Sequence, residues 1–101
     1  MYVILAKNLM SIKVVIPASL QRFSDGNEVL VCEANNLDDL INSINCKYPK
    51  LKEKLCSENG AIQKYFTIYV DGEDIRFLKN METDITGKHE IVIVAAVAGG
   101  V

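Results

Sequence analysis

One segment of this sequence has clear helical periodicity, and its surroundings decide the fold class. Leucine and isoleucine recur at spacings of three and four between residues 37 and 44, which gives a helix one apolar face. Asn36 can cap this helix, and Asp38 and Asp39 suit the positive end of its dipole. Pro49 disfavours a helical residue before it, so the helix should end near there. Strand patterns lie on both sides, so we expect an α+β domain.

Five segments have the composition or alternation of β-strands, two before the helix and three after it. The first two are expected to pair as a hairpin. The last is apolar at every position, which is typical of a strand at the centre of a sheet, and we expect it to run parallel to the first. The segments are Ile12–Ile16, Glu28–Cys32, Tyr65–Val70, Ile75–Phe77 and Ile91–Val97.

The order β-β-α-β-β-β favours a β-grasp, or ubiquitin-like, arrangement. In it, a mixed sheet of four to five strands packs one face against one main helix. The domain is predicted to span residues 10–98. Residues 1–9 form an N-terminal extension, and residues 99–101 form a C-terminal diglycine tail with one extra residue.

Composition excludes several classes of protein. A chain of 101 residues has room for one domain, and 11 basic against 13 acidic residues argue against nucleic-acid binding. The longest apolar run is too short to cross a membrane, and the N-terminus lacks the order of a signal peptide. The cysteines Cys32, Cys46 and Cys56 form no CxxC pair. We therefore expect a reduced, cytoplasmic protein that binds neither nucleic acid nor membrane.

Residues suited to catalysis or metal binding are sparse. His89 is the single histidine, and no cysteine, serine or carboxylate lies at a sequence spacing typical of a catalytic pair with it. The turn segment at residues 71–74 contains three carboxylates, too few to supply the ligands of a calcium loop. They are those of Asp71, Glu73 and Asp74. The sequence therefore predicts no catalytic residue, no metal site and no bound cofactor.

The C-terminus carries the most informative motif. Ala98, Gly99, Gly100 and Val101 come almost directly after the most apolar strand, without a hydrophilic spacer. Residues 96–100 can span about 17 Å when extended. Because glycine has no Cβ, a narrow channel can close around its backbone. The pattern favours a tail that enters the active site of another protein, although a frayed terminus would have similar composition.

Together these segments resemble the ThiS/MoaD family of ubiquitin-like sulfur carriers, and within it the CysO-type carriers of cysteine biosynthesis. The likeness runs from about Ile12 to Gly100, and its most specific part is the Tyr-Val-Asp-Gly-Glu-Asp-Ile-Arg-Phe segment. It is carried by Ile16-Pro17, Leu20-Gln21-Arg22, Tyr48-Pro49, residues 66–77 and Ala95–Gly100.

The resemblance implies a carrier that is acted on by enzymes and is not itself one. An E1-like adenylating enzyme would use ATP and Mg²⁺ to activate the carboxylate of Gly100, with Gly99 and Ala98 recognised beside it. A sulfur donor would then convert the acyl adenylate to a thiocarboxylate. In the CysO-type pathway the acceptor is a pyridoxal-phosphate cysteine synthase, and a metallopeptidase releases the cysteine.

Val101 departs from the pattern of the resemblance, in which the second glycine is terminal. We expect a peptidase of the same metallopeptidase type to cleave between Gly100 and Val101. Two alternatives stay open: the extra residue is tolerated, or the chain is not a working carrier.

A docking surface follows from the alternation of the strands. Val15 and Tyr69 should face away from the helix, and we group Phe77 with them as a surface for partners. The sequence leaves the partner open. A molybdopterin synthase large subunit or a thiazole synthase could accept the sulfur. Alternatively, Gly100 could be joined to lysine in a protein modifier, or the domain could act only through interaction.

Overall fold

A five-stranded mixed sheet forms the frame of the molecule. The computed structural model describes residues 11–96. The strands are β1 (Ser11–Val15), β2 (Val29–Glu33), β3 (Phe66–Val70), β4 (Glu73–Asp74) and β5 (Glu90–Ala95). They lie in the order β2-β1-β5-β3-β4, and β1 and β5 run parallel while the other pairs are antiparallel. This is the predicted β-grasp arrangement, with the closing strand beside the first.

Strand β5 has a partner on each side. Its first half pairs with β1, where Val15 lies opposite Val92, and residues 91–95 pair with β3, from Val70 opposite Ile91 to Phe66 opposite Ala95. The strand that leads to the C-terminus is therefore held by two ladders.

Two helices cover one face of the sheet. Helix α1 (Leu37–Lys47) is capped by Asn36, whose side-chain oxygen accepts a hydrogen bond from the Asp39 amide at 2.8 Å. Helix α2 (Pro49–Leu55) follows after Tyr48. Proline suits the first turn of α2 because the amide that it lacks would have no partner there. The predicted cap and helix end are confirmed, and α2 is a second helix of seven residues.

The core lies between this helical layer and the sheet. The apolar side chains of α1 pack with alternate residues of the three central strands, so each of those strands buries every second side chain. The central members are Ile12, Val14, Ile16, Leu37, Leu40, Ile41, Ile44, Leu51, Leu55, Ile68, Val70, Ile91 and Ile93.

The segment around residue 75 corrects one prediction. Strand β4 is only Glu73–Asp74, and Ile75–Phe77, which the sequence suggested as an edge strand, is a 3-10 helix. The cause is local: the Asp74 carboxylate accepts a hydrogen bond from the Arg76 amide at 2.9 Å, which caps the turn and ends the ladder.

Two further expectations are corrected. A 3-10 helix, Ala18–Phe23, fills the β1–β2 connection, where the sequence indicated only a turn, and it buries Leu20 in the core. Strand β5 is central but not buried on both faces, since Val94 is 41% exposed. In residues 11–96 both helices pack on the other face, which leaves this one open.

The ends of the chain lie outside the described residues. This applies to the N-terminal extension, residues 1–9, and to Ala98, Gly99, Gly100 and Val101. The predicted division of the chain at residues 10 and 98 therefore stays a prediction. Within residues 11–96, no helix is long and apolar enough to span a membrane.

Candidate functional site

The base of the C-terminal tail is firmly attached to the sheet. Beyond the end of β5, the Ala96 amide still donates a hydrogen bond to the carbonyl oxygen of Tyr65, at 2.6 Å. Ala95 lies opposite Phe66 in the same ladder. Gly100, which the resemblance assigned to activation, and Gly99 and Ala98, which it assigned to recognition, therefore follow within four residues of a fixed point of the sheet.

A row of apolar side chains crosses four strands on the open face of the sheet. Val15 lies opposite both Val29 and Val92, and Tyr69 lies opposite Val92 from the other side. Val31, on β2, is 68% exposed and lies opposite Lys13. The structure thus places Val15 and Tyr69 on the face away from the helices, and an exposed apolar row of this kind is a common feature of protein interfaces.

Two aromatic side chains are exposed on the β3–β4 side of the molecule. Phe77, at the end of its 3-10 helix, is 84% exposed, and Tyr65 is 58% exposed beside the base of the tail. The sequence reasoning named Phe77 but missed Tyr65. The signal for Tyr65 was its alternation with Thr67 and Tyr69, which places all three on one side of β3.

An ion pair fixes the segment between β4 and Phe77. The Arg76 Nη2 atom lies 2.6 Å from an oxygen of Asp74, and its Nε contacts both carboxylate oxygens at 3.1 Å. This bidentate contact and the Arg76 amide hold the pKa of Asp74 below its ordinary value. The arginine therefore orients the turn that carries Phe77.

Asp71 joins the β3–β4 turn to the start of β5. Its carboxylate accepts hydrogen bonds from the Glu90 amide at 2.9 Å and from the His89 amide at 3.1 Å, and these lower its pKa, with the Glu90 bond the larger cause. Asp71 and Gly72 both have positive φ, 47° and 89°, as a two-residue hairpin turn requires.

These contacts give the acidic residues of the turn a structural role. Asp71 and Asp74 are hydrogen-bonded to backbone and to Arg76, and Glu73 lies exposed in β4. In residues 11–96, no group of three or more His, Cys, Asp or Glu side chains is arranged to hold a metal ion.

The three cysteines are free thiols in different environments. Cys46 is exposed, Cys32 is half-buried and Cys56 is buried. Burial raises the pKa of Cys32 and of Cys56, which favours the protonated, unreactive form of both.

The sequence is similar to sulfur carrier proteins. The ThiS family matches residues 14–100. The sulfur carrier protein CysO of Mycobacterium tuberculosis is 30% identical over 93 residues, which cover 90% of this chain and all of the relative.

Two solved structures share the fold over most of their length. A chain of the Amycolatopsis orientalis BexX/CysO complex superposes with a TM-score of 0.79 at 26% identity, covering 88% of this chain and 99% of that one. The small archaeal modifier protein 1 of Methanosarcina acetivorans gives 0.76 at 27% identity, covering 89% and 96%. With a family match that spans most of the sequence, a shared β-grasp fold and a curated relative matched end to end, this chain belongs to the ThiS family.

Proposed function

We propose that this sulfur carrier protein carries its sulfur as a thiocarboxylate on Gly100, after Val101 has been removed. The observation that carries the proposal is the extent of the family match, residues 14–100, which includes both glycines and ends just before Val101. The geometry supports it, because the central strand β5 leads directly to this tail.

The chemistry requires a partner that supplies energy. An E1-like enzyme, using its own ATP and Mg²⁺, joins a carboxylate oxygen of Gly100 to the α-phosphorus of ATP and releases pyrophosphate. A sulfur donor then attacks the acyl carbon, and AMP leaves. This domain contributes the tail and a docking surface, and it needs no cofactor of its own.

We propose cysteine biosynthesis as the destination of the sulfur. The similarity to CysO supports this assignment. The thiocarboxylate sulfur, an ionised and soft nucleophile, would form a bond to the β-carbon of an activated serine derivative on a cysteine synthase, while the activated serine oxygen leaves. A metallopeptidase would then use water to hydrolyse the bond between the Gly100 carbonyl and cysteine, which releases cysteine and restores the carboxylate. A molybdopterin synthase large subunit or a thiazole synthase remains an alternative acceptor.

The open sheet face is our proposed docking surface for the activating or accepting enzyme. Val15 and Tyr69 lie on this face, and we include the exposed Phe77, which follows β4 at the edge of the sheet. The tail leaves the sheet beside Tyr65. A relative in complex with BexX supports the idea that such domains bind a partner protein. We place the protein in the cytoplasm, where free thiols stay reduced.

A second function is supported by one likeness. The small archaeal modifier protein 1 shares the fold at a TM-score of 0.76. A modifier would use the same activated Gly100 but join it to a lysine amine of a target protein. Stable lysine conjugates therefore favour the modifier, and a free thiocarboxylate favours the carrier.

Intact mass spectrometry tests the proposal directly. The protein is recovered from its own host and incubated with ATP, sulfide and the host's adenylating enzyme. We expect the mass of the recovered chain to lack one valine residue and then to change by exchange of one oxygen for sulfur. Retention of Val101 together with full sulfur loading would overturn the processing step.

Matched variants locate the reaction. A chain that ends at Gly100 should be loaded without a peptidase, whereas the full chain should require one. A chain that ends at Gly99 should not be loaded by either route. Equal loading of all three would show that the activated group lies elsewhere.

A further inference from the structure

Strand β2 forms a bare edge of the sheet. It is the outermost strand on its side, and within residues 11–96 no other strand pairs with its outer edge. Its pairing with β1 is unbroken, without a bulge, and its first four residues are apolar. Natural proteins usually protect a strand edge with charge, proline or a bulge, so a long apolar edge indicates a surface for pairing.

The free backbone groups of this edge belong to alternate residues of β2. The Ile16 amide donates a hydrogen bond to the carbonyl oxygen of Glu28 at 2.8 Å, so even-numbered residues here direct their backbone groups toward β1. Val29, Val31 and Glu33 therefore direct their N–H and C=O groups outward. An added strand would find both donors and acceptors along this edge.

Helix α1 borders the edge with one row of polar side chains. Asp39, Ser43 and Lys47 are exposed and four residues apart, so they lie along one side of the helix. Ser43 and Lys47 line a cleft of about 360 Å³ between α1 and β2. The row therefore follows the outer edge of β2, with an acid at one end and a lysine at the other.

The row has a defined direction relative to β2. Asn36, the cap of α1, comes three residues after the end of β2. At the other end of the helix, the Tyr48 hydroxyl accepts a hydrogen bond at 3.4 Å from the side chain of Asn27, which shortly precedes β2. Helix and strand therefore run in opposite directions, so Asp39 lies toward the end of β2 and Lys47 toward its start.

These two charges make the edge complementary to itself. Within residues 11–96 neither Asp39 nor Lys47 forms an ion pair, and the Lys47 ammonium lies over the ring of Tyr48, 5.8 Å from its centre. When a second copy runs antiparallel, each end of the row meets a charge of opposite sign. A second copy is therefore the occupant that the charges favour.

We propose that two copies of this chain pair through β2, antiparallel, about a two-fold axis at Val31. Val31 then lies opposite Val31 of the second copy, and Val29 lies opposite Glu33. This register pairs outward-directed residues with each other, as antiparallel hydrogen bonds require, and it keeps the two Glu33 side chains from lying opposite one another. The two five-stranded sheets become one sheet of ten strands.

The same axis forms two ion pairs between the helices. It brings Lys47 of each copy to the end of the paired edge where the other copy presents Asp39. A parallel arrangement would place like charges together, so charge selects the antiparallel one. One strand pair buries much less than the roughly 1,600 Å² of a standard interface, so the dimer is weak and forms at high concentration.

Pairing at β2 leaves the base of each tail accessible. Strand β1 lies between β2 and β5, so Ala96 is about 10 Å from the line of β2. The two-fold axis points the two β5 strands in opposite directions. Each copy of the dimer can therefore meet a separate enzyme, and dimer formation does not depend on what the tail carries.

Sedimentation equilibrium of the full chain tests self-association. We expect the average mass to rise toward twice that of a monomer between micromolar and millimolar concentration. Val31→Lys puts two ammonium groups opposite each other at the axis and should raise the dissociation constant about fivefold or more. A monomer at every concentration would overturn the proposal.

The matched control is Val94→Lys, which adds the same charge to the open face of β5 and leaves the β2 edge unchanged. It should have the dissociation constant of the wild type. Both substituted positions are exposed, and amide NMR spectra check that each variant keeps the fold. Equal weakening in the two variants would show that the copies meet through their open faces, which contradicts pairing at the edge.

Charge reversal tests the antiparallel register. Asp39→Lys gives two positive charges in each ion pair and Lys47→Asp gives two negative ones, so each variant alone should associate about two- to fivefold more weakly per ion pair. An equimolar mixture of the two restores opposite charges at both ends and should recover association. An undiminished dimer in either variant, or no recovery in the mixture, would contradict this register.

Discussion

At the scale of single residues, Asp71 is the polar side chain that connects the β3–β4 turn to the start of β5. It occupies a left-handed turn position, and its carboxylate also binds the amides of His89 and Glu90, which start β5. One side chain therefore fixes the β3–β4 turn against the strand that leads to the tail. The sequence showed the turn in Asp71-Gly72, but a bond across eighteen or more residues has no local signal.

Stability should depend on the charge of Asp71. Because its pKa in the folded protein lies below the ordinary value of 3.8, the stabilisation is present above pH 3.8 and is lost as the pH falls through the lowered pKa. His89 and Lys88, the charged side chains facing Asp71, lower it further. We expect the free energy of unfolding of Asp71→Asn to change less with pH below 4 than that of the wild type, in urea titrations at several pH values.

The control for this measurement is Glu58→Gln, an exposed carboxylate in the loop after α2. Asp74 and Asp84 also have lowered pKa values and contribute to the same slope, so only the difference between variant and wild type is informative. The same pH dependence in Asp71→Asn and in the wild type would show that the amide bonds do not need the charge.

At the scale of elements, α1 is the segment whose local and tertiary signals agree best. The apolar residues at spacings of three and four are buried, the acidic residues occupy the first turn and the asparagine caps the N-terminus. Apolar spacing, charge in the first turn and the capping residue all indicate the same segment, so the helix was predictable to within a residue or two.

Removing the cap should weaken the domain measurably. Asn36→Ala deletes the acceptor for the Asp39 amide, and we expect a loss of about 0.5–2 kcal/mol in the free energy of unfolding. Urea denaturation with a common slope for both proteins measures it. Asn42→Ala, at an exposed position within α1, is the matched control and should be neutral or slightly stabilising, because alanine is the better helix former. Equal losses in the two variants would contradict a capping role.

Strand β4 shows why other elements could not be predicted. Ile75, Arg76 and Phe77 have a reasonable strand composition, yet the Asp74 carboxylate binds the Arg76 amide and guanidinium and turns the chain. The competition between a side-chain cap and a ladder hydrogen bond depends on geometry that alternation does not describe.

At the scale of the whole molecule, the two faces of the sheet have different roles. One packs on the helices and forms the core, and the other presents valine and tyrosine to solvent. The sequence predicted the outward orientation of Val15 and Tyr69 from alternation, and it predicted the tail from composition and position. It could not show how close Tyr65 lies to the base of the tail, because that depends on the pairing of β3 with β5.

Docking should depend on an aromatic side chain that contributes little to folding. Phe77 is 84% exposed, so Phe77→Ala should change the free energy of unfolding by less than about 0.5 kcal/mol. If it anchors the activating enzyme, the catalytic efficiency of adenylation should fall about tenfold or more, chiefly through KM. The measurement is pyrophosphate release against carrier concentration.

Val31→Ala provides the comparison, since Val31 is also well exposed but lies on β2, at the far edge of the sheet. A reduced efficiency in Phe77→Ala alone would place the contact near β4. A similar reduction in both would extend it across the sheet, and no reduction in Phe77→Ala would remove Phe77 from the docking surface.

The double pairing of β5 also has a mechanical consequence. An enzyme that draws the tail into a channel pulls along the axis of a strand bonded to β1 on one side and to β3 on the other. Such a force loads both ladders in shear, so many hydrogen bonds resist together and do not open one after another. Under the proposed function, we therefore expect the domain to stay folded under tension when a partner enzyme draws on its C-terminal residues.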